Sequence, residues 1–300
     1  MSALNNALSP NVVRALGALV GLAGGLGAGR AADTLPRRYE VTLLVEGPAR
    51  TRRNVAIALI GTVIGAWLAH LVTRSASVTA EQAAFYFGVN LVLCLALVAA
   101  AAVDLEHMIL PNEVTLGGAL IALATSPWRA VGLVGSLVGI AVGLALTYLP
   151  FLIYKKLRGR SGMGLGDAKL ALFAGAWLGA PGAVFVIFAG AVQSALCAVI
   201  MRLLGVTFAV PASVQAEIAE LRAKAAAGDE EALSLLADDP MAADVRKPGE
   251  QVGSDTETPP TEAFATMRLP MGPFLVLSCL EFVFARRQIL DLFDRYVAPR

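Results

Sequence analysis

The sequence predicts an all-α integral membrane protein, a polytopic bundle of about eight transmembrane helices with a cytoplasmic insertion. Three observations predict it. Of 300 residues, 57% are hydrophobic and 16% charged, where soluble domains carry about a quarter charged. The mean hydropathy is +0.68. The apolar residues gather into runs separated by polar segments, as spans of a bilayer core do. A formal net charge of +1 gives no bulk attraction for nucleic acid, so membrane lipid is an expected partner and nucleic acid is not. Cys94, Cys197 and Cys279 all fall inside apolar runs, which suits neither a disulfide framework nor paired zinc ligands.

The runs follow in order at 11–28, 54–72, 83–103, 114–125, 131–154, 168–179, 183–205 and 273–285. The first lacks a positive n-region, and AGRAAD is a poor cleavage site, so it reads as a span rather than a signal peptide. It carries Gly17, Gly21, Gly25 and Gly29, and the fifth run carries Gly135, Gly139 and Gly143. Glycines four apart line one helix face and admit another backbone, either a neighbour in the bundle or an incoming substrate helix. The runs at 114–125, 168–179 and 273–285 are short. Twelve helical residues cover only about 18 Å of a core roughly 30 Å thick, so these helices extend into polar flanks or sit where water enters.

Basic residues orient the chain. Arg30, Arg37, Arg38, Arg50, Arg52 and Arg53 follow the first run, and Lys155, Lys156, Arg158 and Arg160 follow the fifth. The opposite segments offer Arg74 and Arg129. The basic side is therefore expected to be cytoplasmic and the N-terminus outside. The tail, with Arg286, Arg287, Arg295 and Arg300, runs against this pattern. Three units result: a membrane bundle over 1–205, an acidic soluble insertion over 206–268, and a final helix with the tail over 269–300. Within the insertion, ASVQAEIAELRAKAAAGDEEALSLLADDP reads as short amphipathic helices broken at Gly228–Asp229, and VRKPGEQVGSDTETPPTEAF as disordered. Its composition fits a solvated excursion, or an acidic surface for a basic substrate segment.

Two aspartates stand at span ends. Asp104 closes the third run and Asp167 opens the sixth. An ionised carboxylate at membrane depth costs roughly 2.5–3.5 kcal/mol on insertion scales, which asks for a function. Two crossings separate the pair, so both fall at the cytoplasmic boundary, provided 114–125 crosses. Adjacent carboxylates share a proton, and one member then takes a proton from water while the other protonates a scissile amide. Neither a metal nor a side-chain nucleophile is needed. Gly162, Gly164 and Gly166 precede Asp167 and leave room for an extended peptide. Lys169 would favour ionised Asp167 if its ammonium reaches that far. The plainer readings are a helix cap for Asp167, a boundary charge for Asp104, and Glu106 and His107 facing water. His70 and His107 do not make a metal site.

In DLEHMILPNEVTL, Pro111 follows Asp104 by seven residues; GMGLGDAKLALFAGAWLG contains Asp167 and Lys169; RLPMGPFLVLSCLEF lies at 268–282. Taken in this order, these motifs resemble the type IV prepilin peptidases of the GxGD aspartyl protease family. The resemblance implies catalytic roles for Asp104 and Asp167, supporting roles for Pro111 and Lys169, and a bacterial inner-membrane location with the active site facing the cytoplasm. It implies cleavage of prepilin or pseudopilin leaders after a glycine, with N-methylation from S-adenosylmethionine in many members. Many members also carry a four-cysteine cytoplasmic domain. Here that region is RYEVTLLVEGPARTRRN, without cysteine, so zinc and other metals are not expected. A proton-relay transporter is the alternative, although charges clustered at one boundary and the lack of a visible inverted repeat fit it poorly. A non-catalytic scaffold and a presenilin-type relative are further readings; the late motif here is LPMGPF in place of Pro-Ala-Leu.

Overall fold

The structure, a computed structural model, describes residues 9–39, 41, 43–74, 79–158, 164–206, 210–238 and 270–296. Gly162 and the polar stretch after Asp238 lie outside them. Helix starts follow capping chemistry. Helix α1 (Pro10–Thr34) begins after Ser9, whose hydroxyl accepts from Val12 N, and ends in a short 3-10 turn over Pro36–Tyr39. Helix α2 is Gly47–Thr73. Helix α3 (Ala80–His107) opens with a reciprocal cap. Thr79 Oγ1 accepts from Gln82 N at 3.2 Å, and Gln82 Oε1 accepts from Thr79 N at 3.1 Å. Helices α4 (Asn112–Ala124), α5 (Gly132–Arg158) and α6 (Leu165–Leu203) complete the matched spans. Then come α7 (Ala212–Ala226), α8 (Glu230–Asp238), α9 (Gly272–Phe284) and α10 (Arg286–Tyr296).

The described residues contain no strand, and the chain is an all-α polytopic membrane protein. Among the described residues, five helices are long and apolar enough to cross a membrane, and α4 and α9 are shorter apolar helices. The structure does not separate eight spans, because the runs at 168–179 and 183–205 lie in the single 39-residue helix α6. That helix breaks internally at Gly179, whose φ of +79° belongs to the left-handed region, just before Pro181.

Close helix contact follows from the glycines. A Cβ on Gly17, Gly21 or Gly25 would overlap backbone atoms of Gly65, Gly61 or Ala58 on α2. A Cβ on Gly139 or Gly143 would likewise overlap Gly175 or Ala171 on α6. Both glycine faces are thus filled by neighbouring helices, which answers the question their spacing left open. Because lipid is as apolar as a side chain, such interdigitation is what holds helices together in a bilayer. The core gathers Leu93, Leu97, Leu170, Phe173, Leu275 and Phe282, all fully buried. Leu19, Leu59, Val63, Leu120 and Val134 are exposed on the outer faces of the helices, where hydrocarbon surrounds them.

The halves of α6 have different neighbours. Its first half packs antiparallel to α5, with Gly143 beside Ala171 and Gly139 beside Gly175. Its second half packs antiparallel to α9, with Gly182 beside Phe282 and Gly190 beside Leu275. At the break, Arg129 donates to the carbonyls of Ala122, Ala176 and Trp177. These are acceptors that the end of α4 and the break in α6 leave without helical partners. Trp177 Nε1 donates to Asn90 Oδ1 at 3.1 Å, tying the same end to α3.

Candidate active site

Asp104 sits one turn from the end of α3 and is 5% exposed. The helix stops because Met108 takes a left-handed conformation, φ +53°, with its N–H bonded to Asp104 O at 2.9 Å. The chain then runs through Ile109 and Leu110 to the buried Pro111. Pro111 lacks a backbone donor but supplies its carbonyl to Val114 N at 3.1 Å and Thr115 N at 3.0 Å, so it sets the start of α4. Asp104 is therefore no water-facing boundary charge.

Asp167 lies in the first turn of α6, with its N–H bonded to Gly164 O at 3.2 Å. Gly164 is the N-cap position, with extended backbone (φ −69°, ψ 137°), and no side-chain cap operates there. A Cβ on Gly164 would come no nearer to any heavy atom than 3.8 Å, at Asp167 Oδ2. A Cβ on Gly166 would stand 3.2 Å from Leu110 Cδ1. Leu110 Cδ2 in turn lies 3.3 Å from the corresponding position on Gly272, the first residue of α9, where a Cβ would collide with the Asp104 carboxylate. Leu110 thus wedges between the Asp167 turn and α9. The segments bearing Asp104 and Asp167 meet at one end of the bundle, both packed about Leu110. Among the described residues, no hydrogen-bond donor reaches either side chain.

Lys169 does not serve Asp167. Its ammonium donates to Asn112 Oδ1 at 2.8 Å and joins the start of α6 to the start of α4. Around the aspartates stands a polar frame that sequence reading missed. Arg53 of α2 bonds both Asp33 of α1 and Glu106 of α3. Asp33 also takes Arg50 at 2.7 Å and Asn54 Nδ2 at 3.2 Å. His107 is 3% exposed, and its Nδ1 lies 3.1 Å from Ser213 Oγ at the start of α7. Tyr39 Oη donates to Glu113 at 2.8 Å and accepts from Asn112 N at 2.7 Å. The arginines are visible in sequence only as an orientation signal; their acidic partners lie 20 and 53 residues away.

Two cavities bear on a methyl donor. A groove of about 690 Å³ between α1 and α2 is lined by Leu22, Leu26, Val55 and Leu59, with Arg50, Thr51 and Asn54 at one end. It offers no carboxylate for a ribose diol or an α-ammonium group. The second, by Asp33, Arg53 and His107, holds about 30 Å³, room for a single water. Neither fits S-adenosylmethionine, and no methyl-transfer step is derived. Among the described residues, no cluster of three metal-ligating side chains occurs.

Residues 91–199, which contain Asp104, Leu110 and Asp167, match the type IV leader peptidase family. Curated relatives carry the name prepilin leader peptidase/N-methyltransferase. The chain is 34% identical over 121 residues to that of Xanthomonas campestris pv. campestris, covering 37% of this chain and 38% of the relative. It is 38% identical over 93 residues to that of Aeromonas hydrophila, covering 30% and 31%. It is 31% identical over 114 residues to that of Neisseria gonorrhoeae, covering 38% and 40%. The chain thus aligns with less than half the length of the curated relatives it matches. No solved structure matches. The resemblance read from the motifs holds over this segment.

Proposed function

We propose that this chain, whose residues 91–199 fall in the type IV leader peptidase family, is an aspartic endopeptidase that cleaves the leader of prepilin-like proteins after glycine. The observation that carries the reading is the convergence of Asp104 and Asp167, from helices α3 and α6, at one end of the bundle within that segment. Neither carboxylate is committed to a structural hydrogen bond among the described residues. Both are free to hold a water molecule between them. With one proton on the pair, the ionised member takes a proton from that water, which attacks the scissile carbonyl. The protonated member gives its proton to the departing amine. The pair titrates as a unit, so cleavage follows a bell-shaped pH profile whose limbs belong to both residues together.

Gly164 and Gly166 line the approach, and an extended substrate segment fits beside the Asp167 turn. Lys169 and Pro111 support the site by fixing the starts of α6 and α4. The site faces the cytoplasm of a bacterial inner membrane, on the side of the arginines around α2. Residues 1–205 act as the catalytic bundle, 206–268 as an insertion on the same side, and 269–300 as the closing helix and tail. A proton-relay transporter is not favoured, because such a path spaces its carboxylates through the membrane, and these two share one end. The purified chain is incubated with a pilin precursor and the product mass is read. Cleavage after the leader glycine that is lost in both Asp104→Ala and Asp167→Ala supports the reading; processing by either variant overturns it. The same mass spectrum reports any added methyl group.

A further inference from the structure

Helix α9 touches Asp104 at one atom-sized gap. Gly272 is buried at the first position of α9, and Pro273 follows it. A Cβ built on Gly272 would collide with Asp104 Oδ2 and stand 2.9 Å from its Cγ. The next obstacle, Leu110 Cδ2 at 3.3 Å, is the far end of a flexible side chain. The backbone of Gly272 carries no left-handed requirement: the positive-φ glycines are Gly47, Gly132, Gly179, Gly205 and Gly228. Turn geometry therefore does not call for glycine here; the missing side chain does. Further along, α9 packs on α3 and α6 through Leu275, Cys279 and Phe282, all buried, so the helix cannot back away without opening the core. An added methyl group has one outlet, which is to turn the Asp104 carboxylate.

Resting on the peptidase reading, we infer that Gly272 is a positioning residue whose absent side chain lets α9 close on Asp104 and hold its carboxylate in the orientation that meets Asp167. The geometry assigns α9 a part in catalysis although it bears no catalytic group. Gly272→Ala lowers kcat by about a hundredfold, the cost of an ångström-scale misplacement, leaves KM for the precursor within about threefold because no substrate contact is removed, and displaces the limbs of the pH profile.

The comparison variant is Gly190→Ala, which crowds α9 at Leu275, where a Cβ would stand 2.8 Å from Cδ2 and well away from Asp104. It keeps the wild-type pH profile. Unchanged kcat and pH limbs in Gly272→Ala, or equal changes in Gly190→Ala, overturn the inference. Should Gly272→Ala fail to fold, Asp104→Ala/Gly272→Ala decides the matter. Recovery of the fold in that double variant, where the colliding carboxylate is gone, supports the contact, and continued failure overturns it. A wild-type chain that leaves the precursor intact sinks the peptidase reading instead, while the thermal stabilities of these variants still report whether Gly272 and Asp104 collide.

Discussion

At the Gly179 end of the bundle, the Arg129 guanidinium donates to three carbonyls freed by the end of α4 and the break in α6. Burial pulls its pKa down to about 10; both terminal nitrogens donate to those carbonyls, while the buried Nε has no partner. At the other end, Asp104 is 5% exposed and Asp167 partly buried, and among the described residues neither side chain receives a hydrogen bond. Both ends keep charge away from water. One ties its charge to three carbonyls, and the other gives neither carboxylate a donor among the described residues. A buried charge bound to the backbone serves the fold, because its removal strands its partners. An unsaturated pair is a standing cost that only chemistry explains, since one proton shared between two carboxylates is the state a general acid–base mechanism needs. The comparison separates structural from catalytic charge without reference to residue type.

The largest effect that tests it is at the aspartates. Asp104→Asn and Asp167→Asn each lower cleavage by at least about a hundredfold, the lower range for losing a general acid or base. Neither lowers the thermal midpoint in detergent, because no donor loses its acceptor; relief of like-charge repulsion raises it. A drop in midpoint parallel to the loss of activity would break the comparison by making these residues structural.

Arg129→Ala is the mirror case. Hydrogen bonds to a charged group contribute roughly 1.5–3 kcal/mol each, and partial relaxation leaves a net loss of about 3 kcal/mol. The midpoint falls while kcat per folded molecule stays within about twofold. Arg129→Lys recovers part of the stability, since an ammonium reaches fewer of the carbonyls at once. Intermediate behaviour belongs to Arg53, which holds both Asp33 and Glu106. Arg53→Ala leaves Glu106 without its cation, while Asp33 keeps Arg50, and costs about 3 kcal/mol. It also lowers cleavage severalfold, because Glu106 is two residues from Asp104 on the same helix end. Adding Glu106→Gln to Arg53→Ala restores part of the midpoint, a non-additivity read directly from the four melting curves.

The spans were legible in the sequence because hydropathy acts locally, and the glycine faces because a four-residue period maps onto one side of a helix. The sequence places Asp104 and Asp167 at one boundary for a global reason, that an even number of crossings returns a chain to the same surface, provided 114–125 crosses. What stayed hidden depends on side-chain reach between segments distant in sequence. Lys169 was expected at Asp167 and bonds Asn112, 57 residues away. The plainer reading puts His107 in water, whereas it is buried and its Nδ1 meets Ser213 of α7. The runs at 168–179 and 183–205 were read as separate spans, and the residues that break them, Gly179 and Pro181, are plain in GAPG. Helical hydrogen bonding resumes on either side of that break, with Arg129 supplying donors where it fails. The Gly272–Asp104 contact had no local signal at all, since only packing brings residue 272 to the end of α3.

The smallest effect concerns the segment with no assigned chemistry. Helix α7, which buries Val214 and Ile218, meets the end of α3 through Ser213. Its hydroxyl lies 3.1 Å from His107 Nδ1 and 3.4 Å from the Glu106 carbonyl. The hydroxyl can donate to that carbonyl, a terminal acceptor of α3, while taking the imidazole N–H. Ser213→Ala removes both partners at once and costs about 1 kcal/mol. This multiplies the undocked population of α7 by about five. Trypsin cutting at Arg222 and Lys224 speeds up by the same factor. Since no contact of Asp104 or Asp167 is removed, kcat stays within about twofold of wild type. A kcat loss as large as that of Gly272→Ala would instead mean that the imidazole of His107, three residues beyond Asp104, orients the catalytic carboxylate, and the boundary between spent and unspent charge would then run through the middle of α3's last turn.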